Sequence, residues 1–353
     1  MSDFFEVDFL PVGDKKSGDA IAIRYQVNGE TKVHIVDAGY KEVGADVLSH
    51  IEKYFEDPNV IDHVVVTHPD GDHARGVISV IESGKVSNLW MLRPWLYAEE
   101  LLPRFAKFTN ADNLAKRLKE VFPNIDLVEQ AAQEYGVPIH EPFQGATIGA
   151  FTVLAPRKDR WFDLIVEDEK TPEPSADAAA SLEALIKTEV NLIKSKWGEE
   201  SFSSNETSPR NEMSVVQFAS ICDRSIVLTG DAGRSALQEA ADYAPIAGLD
   251  LPGVHRFQVP HHGSRRNLST ELLDEWLGER LQDQPESWKG TAIISAGKDD
   301  KDHPRKAVLR ALHHRAWRPI ETKGQSITSY MNAPKRDGWS PVQPVPYPDD
   351  QEE

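Results

Sequence analysis

The most constraining feature of the sequence is a short loop, rich in histidine and aspartate, that follows an apolar strand. The apolar residues 64–66 and Thr67 precede four side chains that bind metals well: His68, Asp70, Asp72 and His73. Pro69 and Gly71 favour the tight turn that lets these side chains converge on one point. The alternative is a polar loop in which Asp72 only caps the following helix. Two histidines and two aspartates at this spacing favour a site for divalent metal ions.

Two later apolar runs end in residues of the same chemical type. One ends in Pro260-His261-His262-Gly263-Ser264, where one histidine would complete a metal site while the other faces the substrate. The other run, residues 226–228, is followed by Thr229-Gly230-Asp231. Asp231 is open to two interpretations, a helix N-cap or a carboxylate that bridges two metal ions.

Composition limits the class of protein. The 353 residues include 57 Asp and Glu against 39 Lys and Arg, a formal net charge of −18. Such a charge disfavours broad adhesion to nucleic acid and suits a protein that concentrates divalent cations. Cys222 is the only cysteine, which excludes an internal disulfide and a zinc site built on several thiolates. Because neither a long apolar stretch nor a signal-peptide pattern is present, we expect a cytoplasmic protein that does not contact membranes.

Strands alternate with helical patterns along the chain, which predicts an α/β architecture. We expect a single domain over residues 1–335, with an insertion at about 156–210 that is helical and irregular and partly mobile. The insertion includes an Ala-rich stretch, residues 176–193, that favours a helix. Residues 336–353 are acidic and rich in proline, so we expect a solvated tail.

In their order along the chain, these pieces resemble the metallo-β-lactamase fold, and in particular the hydrolase domain of ComEC-type competence proteins. The resemblance runs from about residue 12 to residue 330. Besides the three clusters above, the segments that carry it are Gly18-Asp19-Ala20, Val36-Asp37-Ala38-Gly39, Asn211 before Ser214-Val215-Val216, and Ser295-Ala296-Gly297 followed by His303-Pro304. The resemblance implies an αββα sandwich with a metal site at one edge, between the two sheets.

The resemblance also implies a role for each candidate residue. The implied metal ligands are His68 and Asp70 for one ion, Asp72 and His73 for the other, Asp231 as the bridging carboxylate, and His261 as a distal ligand. Asp37 corresponds to an acid that chiefly supports the site from behind, with direct metal binding as the alternative. The candidate catalytic residues are Asp72, His262 and His303, and the candidate substrate-binding residues are Asn211, Ser264 and Arg265.

Two departures from the wider superfamily bear on the metal. Asp70 stands where the superfamily carries histidine, and the histidine usual before Asp231 is missing, with Asn211 close to that place. Oxygen donors in place of imidazoles make the first position harder. We therefore expect two divalent ions, Zn²⁺ or Mn²⁺ with Mg²⁺ as a third candidate, one of them weakly bound.

These features predict a metal-dependent hydrolase, with a phosphodiesterase or nuclease as the first hypothesis. A metal-activated hydroxide would attack phosphorus in DNA, RNA or a nucleotide, and His303 or His262 would assist the leaving oxygen. One alternative is a small-molecule hydrolase for a lactone or a nucleotide signal. Another is a metal-binding regulatory subunit of a multi-protein system, such as phage defence, with its partner bound through the insertion.

Overall fold

A computed structural model describes residues 2–170 and 192–353. Its strands are β1 Phe4–Phe9, β2 Ala20–Val27, β3 Glu30–Ala38, β4 His63–Val65, β5 Leu89–Trp90, β6 Ile139–His140, β7 Thr147–Ile148, β8 Phe151–Ala155, β9 Leu192–Lys194, β10 Val216–Ile221, β11 Arg224–Leu228, β12 Arg256–Gln258, β13 Gly290–Ile294, β14 Trp317–Glu321, β15 Ile327–Met331 and β16 Asp350–Glu352. The described α-helices are α1 Val43–Tyr54, α2 Gly71–Ala74, α3 Val77–Glu82, α4 Ala98–Leu101, α5 Ala111–Val121, α6 Pro123–Glu134, α7 Lys158–Lys170, α8 Pro209–Glu212, α9 Arg234–Tyr243, α10 Thr270–Leu277 and α11 Lys306–His314.

The strands form two seven-stranded sheets. The first has the order β15-β1-β2-β3-β4-β5-β6, and the second has the order β14-β13-β12-β11-β10-β8-β7. Strands β3 to β6 are parallel in the first sheet, as are β11 to β14 in the second. Apolar side chains from both sheets, such as Val36, Val65, Ile226 and Ile293, share one buried cluster between them. The predicted α/β class, with two sheets in the middle, is confirmed.

Helices cover the outer face of each sheet because each presents one apolar stripe. In α1 the buried residues Val43, Val47 and Ile51 recur at intervals of four, which places them on one side of the helix. This stripe joins the apolar cluster outside the first sheet, while α9, α10 and α11 contribute to the cluster outside the second. In the part of the chain that the structure covers, no helix has the length and apolarity needed to cross a membrane.

The candidate functional loops meet at one edge of this sandwich. The loops after β4, β11, β12 and β13 all leave the carboxyl ends of parallel strands, which is where open α/β sheets bind ligands. A backbone hydrogen bond from Val215 N to Thr67 O at 3.0 Å joins the two sheets, and one from His261 N to Gly230 O at 3.3 Å joins two loops of the second sheet. The edge is therefore one connected surface built from both sheets.

Residues 336–353 do not form the solvated tail that their composition predicts. Arg336 donates to Glu6 and Asp8 of β1, at 2.7 Å each. Further along, β16 pairs with β9, and the Glu352 carboxylate accepts hydrogen bonds from the backbone N–H groups of Lys306 and Ala307 at 2.9 Å each. The first turn of a helix carries unpaired N–H groups and a partial positive charge, so it attracts an acidic side chain from a distant segment.

The predicted insertion is described in two parts, and both pack against the domain. Trp161 and Ile165 of α7 are buried in the apolar cluster outside the first sheet. After the gap, the side chain of Trp197 donates to Leu281 O at 2.9 Å, and its ring contacts His314 of α11. The Ala-rich stretch 176–193 lies outside the described residues except for its last two positions, which start β9.

Candidate metal centre

The loop after β4 presents its acids to the edge instead of using them as caps. Helix α2 begins at Gly71, so Asp70 holds the N-cap position with extended backbone, yet its side chain makes no capping bond. The Asp70 carboxylate instead lies 3.9 Å from Nε2 of His68. Gly18 lets the preceding loop approach closely, because a Cβ there would lie 2.6 Å from the Asp72 carbonyl oxygen. Asp72 lies inside α2 and not at its N-cap position, so the interpretation of Asp72 as a helix cap is not supported.

Asp37 sits behind the two histidines of this loop and orients both. One of its oxygens accepts from the Thr67 hydroxyl at 2.6 Å and from Nδ1 of His73 at 2.8 Å, and the other accepts from Thr67 N at 2.8 Å. Since the Thr67 hydroxyl proton points to Asp37, its oxygen accepts from Nδ1 of His68, 3.0 Å away. Both rings are thus held with Nδ1–H turned inward and Nε2 turned to the edge, the arrangement typical of metal-binding histidines.

Asp231 lies at the middle of the cluster, with a different pair of histidines facing each carboxylate oxygen. Its Oδ2 is 3.7 Å from Nε2 of His68 and 3.7 Å from Nε2 of His261. Its Oδ1 is 3.4 Å from Nε2 of His73 and 3.9 Å from Nε2 of His262. Asp231 is not an N-cap, because α9 begins at Arg234. The carboxylate therefore separates two positions, each flanked by two imidazoles.

The two adjacent histidines, His261 and His262, are not divided into one metal ligand and one substrate-facing residue as the sequence predicts. His262, expected to face the substrate, is only 4% exposed, and its Nε2 lies 3.8 Å from Asp72 Oδ2, which places it in one group with Asp72 and His73. His261 lies on the other side of Asp231, beside His68. Both residues have positive φ, 47° and 57°, an unfavourable conformation for residues other than glycine. This strained turn lets two consecutive side chains reach opposite sides of one carboxylate.

Asn267 sets the orientation of the His261 ring. Its Nδ2 donates to the backbone carbonyl of Asp231 at 2.9 Å, so its Oδ1 accepts from Nδ1 of His261 at 3.0 Å. Burial, together with the nearby His262 and His303, lowers the pKa of His261 to about 4. The ring is therefore neutral at pH 7, and its Nε2 keeps a lone pair for a metal.

Buried polar atoms without partners show that these residues fit divalent cations. His68 Nε2, His73 Nε2 and Asp231 Oδ1 are buried and make no hydrogen bond to any described residue. Burial lowers the pKa of His73, but Asp231 and Asp37 outweigh it and raise that pKa well above its usual value. Burial likewise opposes a charge on His262, yet Asp231 and Asp72 raise its pKa to about 9. The cluster thus attracts positive charge at its centre, which a divalent cation would provide.

The three predicted substrate-binding residues make contacts within the protein, and two of them, Asn211 and Ser264, are buried. Nδ2 of Asn211 donates to Thr207 Oγ1 at 2.7 Å and lies 3.0 Å from Nδ1 of His261. The Ser264 hydroxyl accepts from Arg266 N at 3.3 Å. Arg265 donates to Glu353 O at 2.8 Å, so its guanidinium reaches the C-terminal segment and is not an open cationic lip.

His303 lies at the edge, as its loop predicts, and Asp300 holds it there. The ring stacks on His261 with centroids 5.8 Å apart and planes at 24°. Asp300 accepts from His303 N at 3.1 Å and from its Nδ1 at 3.3 Å, and it also accepts from the Ser17 hydroxyl at 2.7 Å. The His303 side chain is therefore hydrogen-bonded to another side chain, that of Asp300, and not to the backbone of the described residues.

Asp19, Asn267 and Asp300 are members of the site that the sequence did not single out. Asp19 is 1% exposed, accepts from Gln258 Nε2 at 2.8 Å and lies 3.9 Å from Nδ1 of His73. Burial raises its pKa. Its only sequence signal was its place after Gly18 in a segment that resembles the family, because single acids and amides before a strand or in a loop are common.

Residues 14–149 match the sequence model of the metallo-beta-lactamase superfamily. No curated protein sequence matches the chain at a significant level. Three solved structures are similar, with identities of 9 to 10%. A protein assigned to the metallo-β-lactamases from Thermotoga maritima has 9% identity and a TM-score of 0.30 over 69% of this chain and 85% of its own. The metallo-β-lactamase fold protein YhfI from Bacillus subtilis has 10% identity and a TM-score of 0.38 over 94% and 100%. A variant of the CmlA β-hydroxylase has 10% identity and a TM-score of 0.41 over 94% and 54%.

The match covers less than half of the 353 residues, and it shows that this part of the chain is similar to the metallo-beta-lactamase superfamily. Proteins of this superfamily bind divalent metals and are generally metal-dependent hydrolases. The groups of histidine and aspartate at the sheet edge can hold such ions.

Proposed function

We propose that the chain is a metal-dependent phosphodiesterase that acts on DNA, RNA or a nucleotide, like the ComEC-type hydrolase domains that it resembles. The observation that carries the proposal is the arrangement around Asp231, where each carboxylate oxygen faces the Nε2 atoms of two histidines at 3.4 to 3.9 Å. Two divalent ions at these positions would lower the pKa of water and neutralise charge on a phosphoryl group.

The donor sets on the two sides of Asp231 are nearly equivalent. One side offers His68, His261 and Asp70, and the other offers His73, His262 and Asp72, as judged from their contacts. His261 thus supplies an imidazole on the side where the sequence lacks one. We therefore propose two ions, with Zn²⁺ and Mn²⁺ both suited to the mixed nitrogen and oxygen donors. The side that includes Asp70, whose side chain is 34% exposed, is the weaker of the two.

The chain's own groups then orient the substrate and move a proton. With Nδ1 of His303 bonded to Asp300, Nε2 is the ring atom available to a leaving oxygen beside His261. Asp37 and Thr67 keep the ligand rings in place from behind. Asn211 and Ser264 border this surface and are proposed to contact the substrate.

A substrate panel tests the proposal directly. The purified protein is incubated with single-stranded and double-stranded DNA, RNA, cyclic dinucleotides and lactones, each with Zn²⁺, Mn²⁺ or Mg²⁺. We expect phosphodiester hydrolysis that Asp231→Asn abolishes and that the exposed control Asp46→Asn leaves intact. Hydrolysis of lactones alone would contradict it. Failure to turn over any substrate, with metal bound, would instead favour the regulatory subunit whose partner binds through the insertion at about 156–210.

A small-molecule hydrolase is the second candidate, favoured by burial and charge. His68, His73 and Asp231 are each at most 3% exposed, so a bulky duplex has limited access to them. The net charge of −18 also repels a nucleic acid backbone. Cyclic dinucleotides and lactones are in the panel for this reason.

A further inference from the structure

A cavity of about 320 Å³ lies between β14 and β15, the edge strands of the two sheets. The segment that follows β15 closes its outer side. Its wall includes Arg318, Lys335 and Arg336 as cations and Glu6 as an acid, together with Thr328 and Trp339. None of the candidate metal-site residues lines it.

Several cations beside this cavity have no acidic partner. Glu6 and Asp8 are matched by Arg24 and Arg336, which form ion pairs with them. Arg318 and Lys335 form no ion pair with any described residue. The Arg318 guanidinium donates instead to an uncharged group, the carbonyl oxygen of Val342. In a chain with net charge −18, such an excess of positive charge is a local exception.

The excess extends onto the neighbouring strands. Arg256 of β12 donates to the hydroxyl of Ser329 at 2.6 Å, and Ser329 lies in β15 between two residues that line the cavity, Thr328 and Tyr330. Arg256 makes no ion pair within the described chain. Burial, with the charges of Arg224 and Arg318, lowers the pKa of Arg256, so these guanidinium groups repel one another. An anion placed among them would relieve this repulsion.

Two buried polar atoms at the cavity wall also lack partners. Nη2 of Arg336 binds Glu6 and Asp8, but its Nη1 makes no hydrogen bond to a described residue, although the side chain is only 8% exposed. Oγ1 of Thr328 is likewise buried without a partner among the described residues. A buried donor left without an acceptor is costly, and an oxyanion has enough lone pairs to serve several donors.

We propose that this cavity is an anion site, which binds a small molecule through a phosphate or carboxylate group. Arg318, Lys335 and the Nη1 atom of Arg336 surround the oxyanion, and the Thr328 hydroxyl donates to it. The volume is at the lower end of the range for ligand pockets, which suits a molecule no larger than a mononucleotide.

Calorimetric titration tests the site with three probes at constant ionic strength: inorganic phosphate, adenosine monophosphate and succinate. The wild-type protein should bind at least one of them saturably. Stronger binding of phosphate probes identifies a phosphate ligand, and stronger binding of succinate identifies a carboxylate. Arg318→Gln and Thr328→Val should weaken binding about tenfold or more, because each removes one donor to a charged group. The matched control is Arg280→Gln, an exposed arginine whose partner is also a carbonyl, Gly198 O, and it should bind like wild type.

Two further measurements keep the test decisive. Asp231→Asn should retain binding, which separates this site from anion binding at the metal edge and from the proposed function. Without ligand, Arg318→Gln and Arg280→Gln should have similar melting temperatures, since each loses a hydrogen bond to a backbone carbonyl and no ion pair. Absence of saturable binding for all three probes, or binding unchanged in both cavity variants, would overturn the proposal.

Discussion

At the residue scale, the candidate centre depends on side chains that hold its histidines from behind. Asp37 accepts three hydrogen bonds and so determines how His68 and His73 face the edge. Its φ of 56° places its backbone in the left-handed region, which aspartate and asparagine tolerate better than most residues. The substitution Asp37→Asn therefore suits the backbone while it removes the charge.

We predict that Asp37→Asn lowers metal affinity by roughly 10-fold to 100-fold, the usual effect of losing a carboxylate behind a histidine ligand. The remaining amide oxygen cannot hold both rings with the strength of a carboxylate. Competition with a chromophoric chelator measures the change, and far-ultraviolet circular dichroism checks the fold. Asp46→Asn, at an exposed position of α1, is the control. Equal affinities in the two variants would contradict the role assigned to Asp37.

His303 lies on the same edge, and we propose that it acts in proton transfer and does not bind metal. Replacement by glutamine should leave metal content intact and lower turnover by a factor on the order of 10² to 10⁴. The loss should be greater for a substrate with an alkoxide leaving group than for a nitrophenyl ester, because nitrophenolate departs without a proton. Elemental analysis and steady-state rates on both esters measure this. Loss of metal from the variant would show instead that His303 supports the ligands.

At the element scale, segments far apart in the chain hold one another by buried charge. Glu200, in the segment after β9, accepts from Nδ1 of His314 at 2.9 Å, Nη1 of Arg315 at 2.6 Å and Oγ1 of Thr270 at 2.8 Å. Burial raises the pKa of Glu200, but these hydrogen bonds outweigh it and lower the pKa from 4.5 to about 2. The pKa of His314 is lowered by its burial, so Arg315 carries the positive charge of this group.

The lowered pKa gives a stability that depends on pH. Because the folded state prefers ionised Glu200, its contribution is complete above the unfolded pKa of 4.5 and disappears as the pH falls towards 2. Glu200→Gln should lower the free energy of unfolding by about 2 to 3 kcal/mol at neutral pH, and by much less near pH 3. Urea titrations at both pH values measure the difference. The neighbouring Glu199→Gln, at an exposed side chain, should change neither value, and a deficit of Glu200→Gln that does not depend on pH would contradict the assignment.

At the scale of the whole molecule, the metal centre joins the two sheets. His68 and His73 come from the first sheet, and Asp231, His261 and His262 come from the second. An ion bound among them therefore binds only the native arrangement, which stabilises it by about 2.7 kcal/mol at a free concentration 100 times the dissociation constant.

We predict that a chelator lowers the melting temperature by several degrees, and that Zn²⁺ or Mn²⁺ restores it. Differential scanning calorimetry of wild type and Asp231→Asn makes the comparison. The variant should melt at the same temperature with and without metal, because it lacks the carboxylate shared by both positions. A wild type that binds metal without any shift in melting temperature would show that the ion binds the unfolded chain equally well, and would contradict a site built from both sheets.

The local sequence pattern was sufficient to predict the fold class and the position of the candidate metal-binding residues. Apolar runs that end in Asp, His and Gly placed the metal residues at strand ends, because the carboxyl ends of parallel strands meet at one edge. The alternation of strands and helices predicted the α/β class. Each inference depends on residues close in sequence, whose spacing directly constrains where their side chains go.

The sequence by itself determined the class of fold and the chemistry of the candidate site, whereas the tertiary structure decided which groups meet. The distribution of His261 and His262 to opposite sides of Asp231 depends on a strained turn that no spacing rule predicts. The packing of residues 336–353, and the arginines without acidic partners beside β14 and β15, depend on contacts between segments 73 to 330 residues apart. Contacts between distant charged groups, and the burial of those groups, arise only when the sheets pack. Composition alone therefore predicted that residues 336–353 are solvated.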